Sequence, residues 1–87
     1  MIEIQAKRIL GHSQVDESAI CYWKSSDGTW MLYLPGCGIG GLPFHTVEEH
    51  LDGTITVKPS VLMNGHKNGE PTLRHGFLTR GVWKDCA

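Results

Sequence analysis

The sequence predicts a mainly β fold, a small antiparallel sheet or roll of about five to seven short strands by the usual strand length. At most one short helix is expected, near residues 46–52. Three observations predict this class. Glycine supplies 11 of the 87 residues, which favours many tight turns over long helices. The opening segment alternates, with Ile2 and Ile4 on one side and Glu3 and Gln5 on the other, as a half-buried strand does. Two runs rich in β-branched and aromatic residues, ICYWK and TWMLYL, flank Asp27-Gly28, a strong short-range hairpin signal.

Taken in order, MIEIQAKRIL begins as a strand and GHSQVDESA is a polar loop. Residues 19–34 form the hairpin around Asp27-Gly28, with Gly28 expected at positive φ. The glycine-rich stretch LPGCGIGG follows, then the short extended piece LPFH. TVEEHLDG is the one helix candidate: Thr46 can cap it, Glu49 completes a capping box and Gly53 can end it. TITVKPSVLM is a strand interrupted at Pro59, which suits an edge or a bend and argues against a central position. NGHKNGEPT carries two Asn-Gly pairs and reads as a turn or loop. LRHGFL and VWKDC form a closing hairpin over Thr79-Arg80-Gly81. These periods leave an open roll, a barrel and a small sandwich as alternatives.

The length fits a single domain over residues 1–87. Ordering each residue costs about 1.5 kcal/mol, which nearly cancels the burial such a chain can offer. A metal, a disulfide or a partner chain would therefore help without being compulsory. A net charge of −1 provides no broad basic surface and argues against a sequence-independent grip on nucleic acid. No stretch is apolar enough to span a membrane, and the N-terminus lacks the apolar run of a secretion signal. The expected location is the cytoplasm. Cys21, Cys37 and Cys86 are too few for a disulfide framework and are expected as thiols or metal ligands.

Several constellations invite chemistry. Gly36 to Gly41 matches the spacing of a dinucleotide-binding loop, yet Pro43-Phe44 follows where that mechanism needs a helix, so no nucleotide cofactor is implied. Zinc favours thiolate and imidazole in a tetrahedral set. The chain offers Cys37, His75 and Cys86, with His45 near Cys37 in sequence. It has neither a C-x-x-C pair nor the paired histidines of a finger. A zinc knuckle of the PGCG kind normally carries a second cysteine three residues before the first, where Leu34 stands. In HTVEEH the two histidines are five apart, about 140° around a helix or on opposite faces of a strand. That excludes the zinc-protease arrangement. Cys37, His75 and Asp85 would be a nucleophilic set only if the fold brought them together. Tyr22, Trp23, Trp30 and Tyr33 could stack nucleobases, but beyond Lys24 no cations are interleaved, so core packing is expected.

PGCG, LPF, TITVKPSVLM and RHGFLTRGVWKDC occur in an order that resembles a family of small phage and prophage proteins of uncharacterised function, some labelled ammonia monooxygenase. The match covers roughly residues 34–86. The resemblance implies a C-P-x-C-G knuckle, a Cys-His before an aromatic strand and a closing Asp-Cys-Thr-His. Here Leu34 and Arg74 replace two of those cysteines, and Ala87 follows Cys86. What remains of such a set is Cys37, His75 and Cys86, which His45 or a partner would have to complete. The resemblance implies a phage origin and no particular chemistry. The expectation is a small phage-encoded, non-enzymatic protein without a resident cofactor, binding a host or phage protein, for instance to inhibit a host defence or housekeeping enzyme. Arg80 and Trp83 are its candidate contact residues, as types enriched at binding hot spots. The alternatives are a zinc-binding domain or zinc enzyme built on Cys37, His75 and Cys86, and a virion or homo-oligomeric structural protein.

Overall fold

The computed structural model describes residues 3–86, so Ile2 of the expected first strand lies outside the described residues. Nine strands form two sheets, and the only helical element among the described residues is a 3-10 turn at His12–Gln14. In chain order the strands are β1 (Glu3–Gln5), β2 (Lys7–Arg8), β3 (Cys21–Lys24), β4 (Trp30–Leu34), β5 (Gly38–Gly41), β6 (Thr46–Glu49), β7 (Ile55–Lys67), β8 (Glu70–Thr79) and β9 (Val82–Asp85). One sheet runs β1-β9-β8-β7-β6 and the other β2-β3-β4-β5. All pairs are antiparallel except β2 with β3.

The count exceeds the expected five to seven for two reasons. The first strand divides at Ala6, where the chain passes from one sheet to the other. Ala6 N–H donates to Gly81 O at 2.8 Å, and the next residue, Lys7, donates to Ile20 O at 2.8 Å. The small, buried Ala6 thus serves both sheets. In addition GIGG and TVEE, which lack a strand composition, are strands because neighbours supply their backbone partners.

The expected helix near 46–52 is absent. Thr46–Glu49 pairs with Ile55–Lys58, placing Val47 opposite Val57 and against the core. The turn between them is held by His50 N–H to Thr54 O at 2.8 Å, by Asp52 Oδ1 accepting from Thr54, and by Gly53 at φ +86°. A local capping signal lost to a non-local partner strand.

The sheets enclose one core. Tyr22, Leu32 and Leu34 face Ile55, Val57, Val61, Leu78 and Trp83. Leu34, standing where a knuckle would carry cysteine, is fully buried among them. The outer side of β3 is covered as well: Ile9, Cys21 and Trp23 cluster with Val15 and Ala19 of the polar loop. Tyr22, Trp23 and Trp30 are therefore packing residues with no face free for a base.

Gly28 sits at φ +89° in the β3–β4 loop, and Thr29 N–H donates to Asp27 Oδ1 at 2.9 Å. A Cβ placed at Gly28 finds nothing within 4 Å. The left-handed backbone penalises a β-branched residue here by about 1–2 kcal/mol. Gly28→Val is expected to lower the melting temperature by several degrees, and an unchanged melt would misplace the turn.

β7 and β8 make one long hairpin. The supposed loop NGHKNGEPT is mostly ladder, and only Asn68-Gly69 turns the chain. Pro59 lies where the register slips between Val57 and Val61, just past the last residue paired to β6. Its missing N–H deprives no ladder there, so the bend holds, but the expectation against a central position fails: β7 lies inside the sheet between β8 and β6, and the slip is what accommodates the proline.

Candidate functional site

The residues singled out from sequence do not converge on one place. LPGC is a tight turn: Cys37 N–H donates to Leu34 O at 2.9 Å, with Pro35 and then Gly36 (φ +85°) in the middle, the residue order of a type II turn. The turn lies over the inner side of the β7–β8 hairpin. Thr72 Oγ1 donates to Gly36 O at 2.6 Å, while Cys37 Sγ lies 3.6 Å from Met63 O and 3.8 Å from Thr72 Oγ1. Cys37 is thus a clip between the sheets.

His75 belongs to the other face. Along β8, Thr72, Arg74, Gly76 and Leu78 are half-buried or buried, whereas Leu73, His75 and Phe77 are exposed. Thr72 and His75 differ by an odd number of residues and so point to opposite sides of the strand. Cys37 and His75 cannot share a metal across the sheet. Among the described residues no group of three or more His, Cys, Asp or Glu side chains is placed to hold one. Cys86, by contrast, lies directly across from His75: its N–H donates to His75 O at 2.7 Å, continuing the ladder beyond Gly76 and Asp85.

His75 Nε2 is 2.7 Å from Ser60 Oγ, and His45 Nε2 is 3.1 Å from Ser60 O. With Nε2–H as the donor, His45 Nδ1 is a buried acceptor with no hydrogen-bond partner among the described residues. Ser60 escaped the sequence reading because nothing around it signals that two histidines from distant segments would meet it.

Asp85 likewise stands away from His75 and Cys37, on the inner face. Arg74 Nη2 donates to it at 2.9 Å and Trp83 Nε1 at 2.8 Å. Burial pushes this carboxyl upward, but the hydrogen bonds from Arg74 and Trp83 and the Arg74 charge outweigh it and hold it below the usual carboxylate range. A Cys37-His75-Asp85 nucleophilic set is therefore not assembled. Trp83, expected as a contact residue, is completely buried and belongs to the core.

Of the two candidate contact residues, Arg80 is the one on the surface. It occupies, with Gly81, the two-residue β8–β9 turn, at φ +46° and +76°. Its N–H donates to Thr56 Oγ1 at 3.0 Å, and its side chain forms no ion pair among the described residues. The β6–β7 turn lies alongside, and together they line a cleft of about 430 Å³ with Glu48, Glu49, His50, Leu51, Asp52 and Arg80. The acids of this cleft have partners of their own. Arg8 bonds Glu49 at 2.8 Å and holds it below the usual carboxylate range, and hydrogen bonds from Thr54 do the same for Asp52. Leu51 at the tip is fully exposed, although the sequence placed it within a helix. Comparison with protein-family models, curated proteins and solved structures gives no match to this chain.

Proposed function

We propose that the protein is a non-enzymatic binding module that docks onto another protein through the end carrying Arg80 and Leu51. The resemblance of residues 34–86 to small phage proteins supports a viral chain acting on a host protein in the host cytoplasm, with inhibition of a host enzyme as the concrete form. The carrying observation is the pair of two-residue turns in the larger sheet. Both place their two central residues at positive φ, the signature of type I′. One uses Asn68-Gly69, the residues this geometry prefers. The other uses Arg80-Gly81. An L-residue other than Asn, Asp or Gly there costs about 1–2 kcal/mol. Fold stability favours asparagine at both turns, so an arginine held at this conformation, with no ion pair among the described residues and beside an exposed leucine, supports selection for contact.

Stability and binding should therefore separate at this position. Arg80→Asn is expected to raise stability by up to about 1 kcal/mol, from relief of the left-handed strain. The same substitution is expected to weaken capture of the host partner tenfold or more, which corresponds to about 1.4 kcal/mol. Paired melting and pull-down measurements on one variant decide it. A variant that melts higher and still captures the partner at wild-type strength would overturn the reading.

A further inference from the structure

We infer that His75 and Cys86 are half of a zinc site that a second copy of this chain completes, the two copies meeting through the outer face of the larger sheet. This surface is the flat of the sheet and is separate from the Arg80 end.

The two side chains are cross-strand neighbours on one face. In antiparallel strands such partners carry Cβ atoms about 4.5–5.5 Å apart. Tetrahedral zinc needs its sulfur and nitrogen ligands about 3.6 Å from each other, given Zn–S and Zn–N bonds of about 2.3 and 2.1 Å. Side-chain rotation spans that difference. Ser60 prepares the histidine. When Nε2–H donates to Ser60 Oγ, the lone pair is left on Nδ1, the outer-shell bond that fixes the tautomer of a metal-bound imidazole.

One chain provides two ligands here and, among its described residues, no third. A two-fold axis through the metal doubles them to Cys₂His₂, a closed structural set. The surroundings suit a self-complementary contact. Leu62, directly opposite His75, is 58% exposed, and Leu73 and Phe77, the alternate neighbours of His75 along β8, are 64% and 46% exposed. Lys84, beside Cys86 on the same face, is already paired with Glu3 at 3.2 Å, so two copies can approach without an unpaired charge from that lysine. Cys37, on the opposite side of β8, takes no part.

The test is titration of the reduced full-length protein with zinc, and in parallel with cobalt, followed by molar mass and metal content. Saturation is expected at one metal per two chains, with the mass rising from 9.6 kDa to twice that value. Cobalt should show the absorption of a tetrahedral thiolate complex. His75→Gln and Cys86→Ser, both near the surface, should each remain monomeric in zinc, whereas Cys37→Ser should still dimerise. One metal per chain without a change of mass, no metal uptake, or a zinc-induced dimer that survives both substitutions would each overturn the inference.

Discussion

Trp83→Ala is expected to remove most of the stability of this domain. The indole is fully buried on β9, which is hydrogen-bonded to β1 on one side and β8 on the other, so its loss opens the middle of the core. Truncating a buried tryptophan to alanine costs about 3–5 kcal/mol. A chain of this length holds about 4–13 kcal/mol in total at typical stability per residue. The indole also has roles that a generic hydrophobe lacks. Its Nε1–H donates to Asp85 Oδ1 at 2.8 Å, and the Arg74 guanidinium carbon lies 5.7 Å from the ring centre. Opposite Asp85 stands Gly76, where a Cβ would come within 2.7 Å of the indole Cε2. The glycine is the seat of the ring. Trp83→Phe, which keeps an aromatic ring and loses the donor, should fall between wild type and alanine. Urea unfolding of the three proteins measures this order, and a loss below about 1 kcal/mol for alanine would show that the ring is not a core element.

What the sequence made legible was whatever its chemistry decides locally. Asp27-Gly28 and Arg80-Gly81 turn the chain because Gly28 and Gly81 accept positive φ at no cost, Arg80 being held there against its preference, and both hairpins stand where those glycines put them. Thr46 and Glu49 offered an equally local signal, a capping box, and it failed. The pairing of Val47 with Val57 across a turn provides both backbone partners and burial, and neither shows within four residues of sequence. Asn64-Gly65 failed similarly: it has turn composition but lies inside β7. The site was less legible than the fold. Cys37, His75 and Asp85 are the right types for chemistry, and strand parity distributes them over two faces. Parity depends on register, and the register of β7 against β8 includes a slip between Val57 and Val61 that no spacing rule contains. The nearness of His75 to Cys86 follows from the same ladder, extended by one hydrogen bond.

Gly65→Ala is expected to destabilise the protein although alanine is ordinarily the better residue in a strand. Gly65 has no positive φ, so in open space a methyl group would stabilise by about 0.4–1 kcal/mol through the unfolded chain. Here the space is occupied. A Cβ would press on the Cys37 Cα, and would stand 2.7 Å from Cys37 O and 2.8 Å from Gly36 O. All three atoms are backbone, and no rotamer change moves them. Either the knuckle lifts, breaking the bond from Thr72 Oγ1 to Gly36 O and freeing Cys37 from its contact with Met63 O, or β7 bends away. Overpacking of this kind costs about 1–3 kcal/mol, occasionally more, which decides the sign against the entropic gain. Gly40→Ala is the control. Its Cβ would meet Met63 Cε at 2.9 Å, the far end of a flexible thioether that can swing aside. Melting should drop for Gly65→Ala and barely move for Gly40→Ala. Amide exchange in the former should rise chiefly at residues 35–38 and 61–74, where knuckle and hairpin part. Equal melting of the two variants would mean that the knuckle does not bear on β7, and the clip assigned to Cys37 would fall with it.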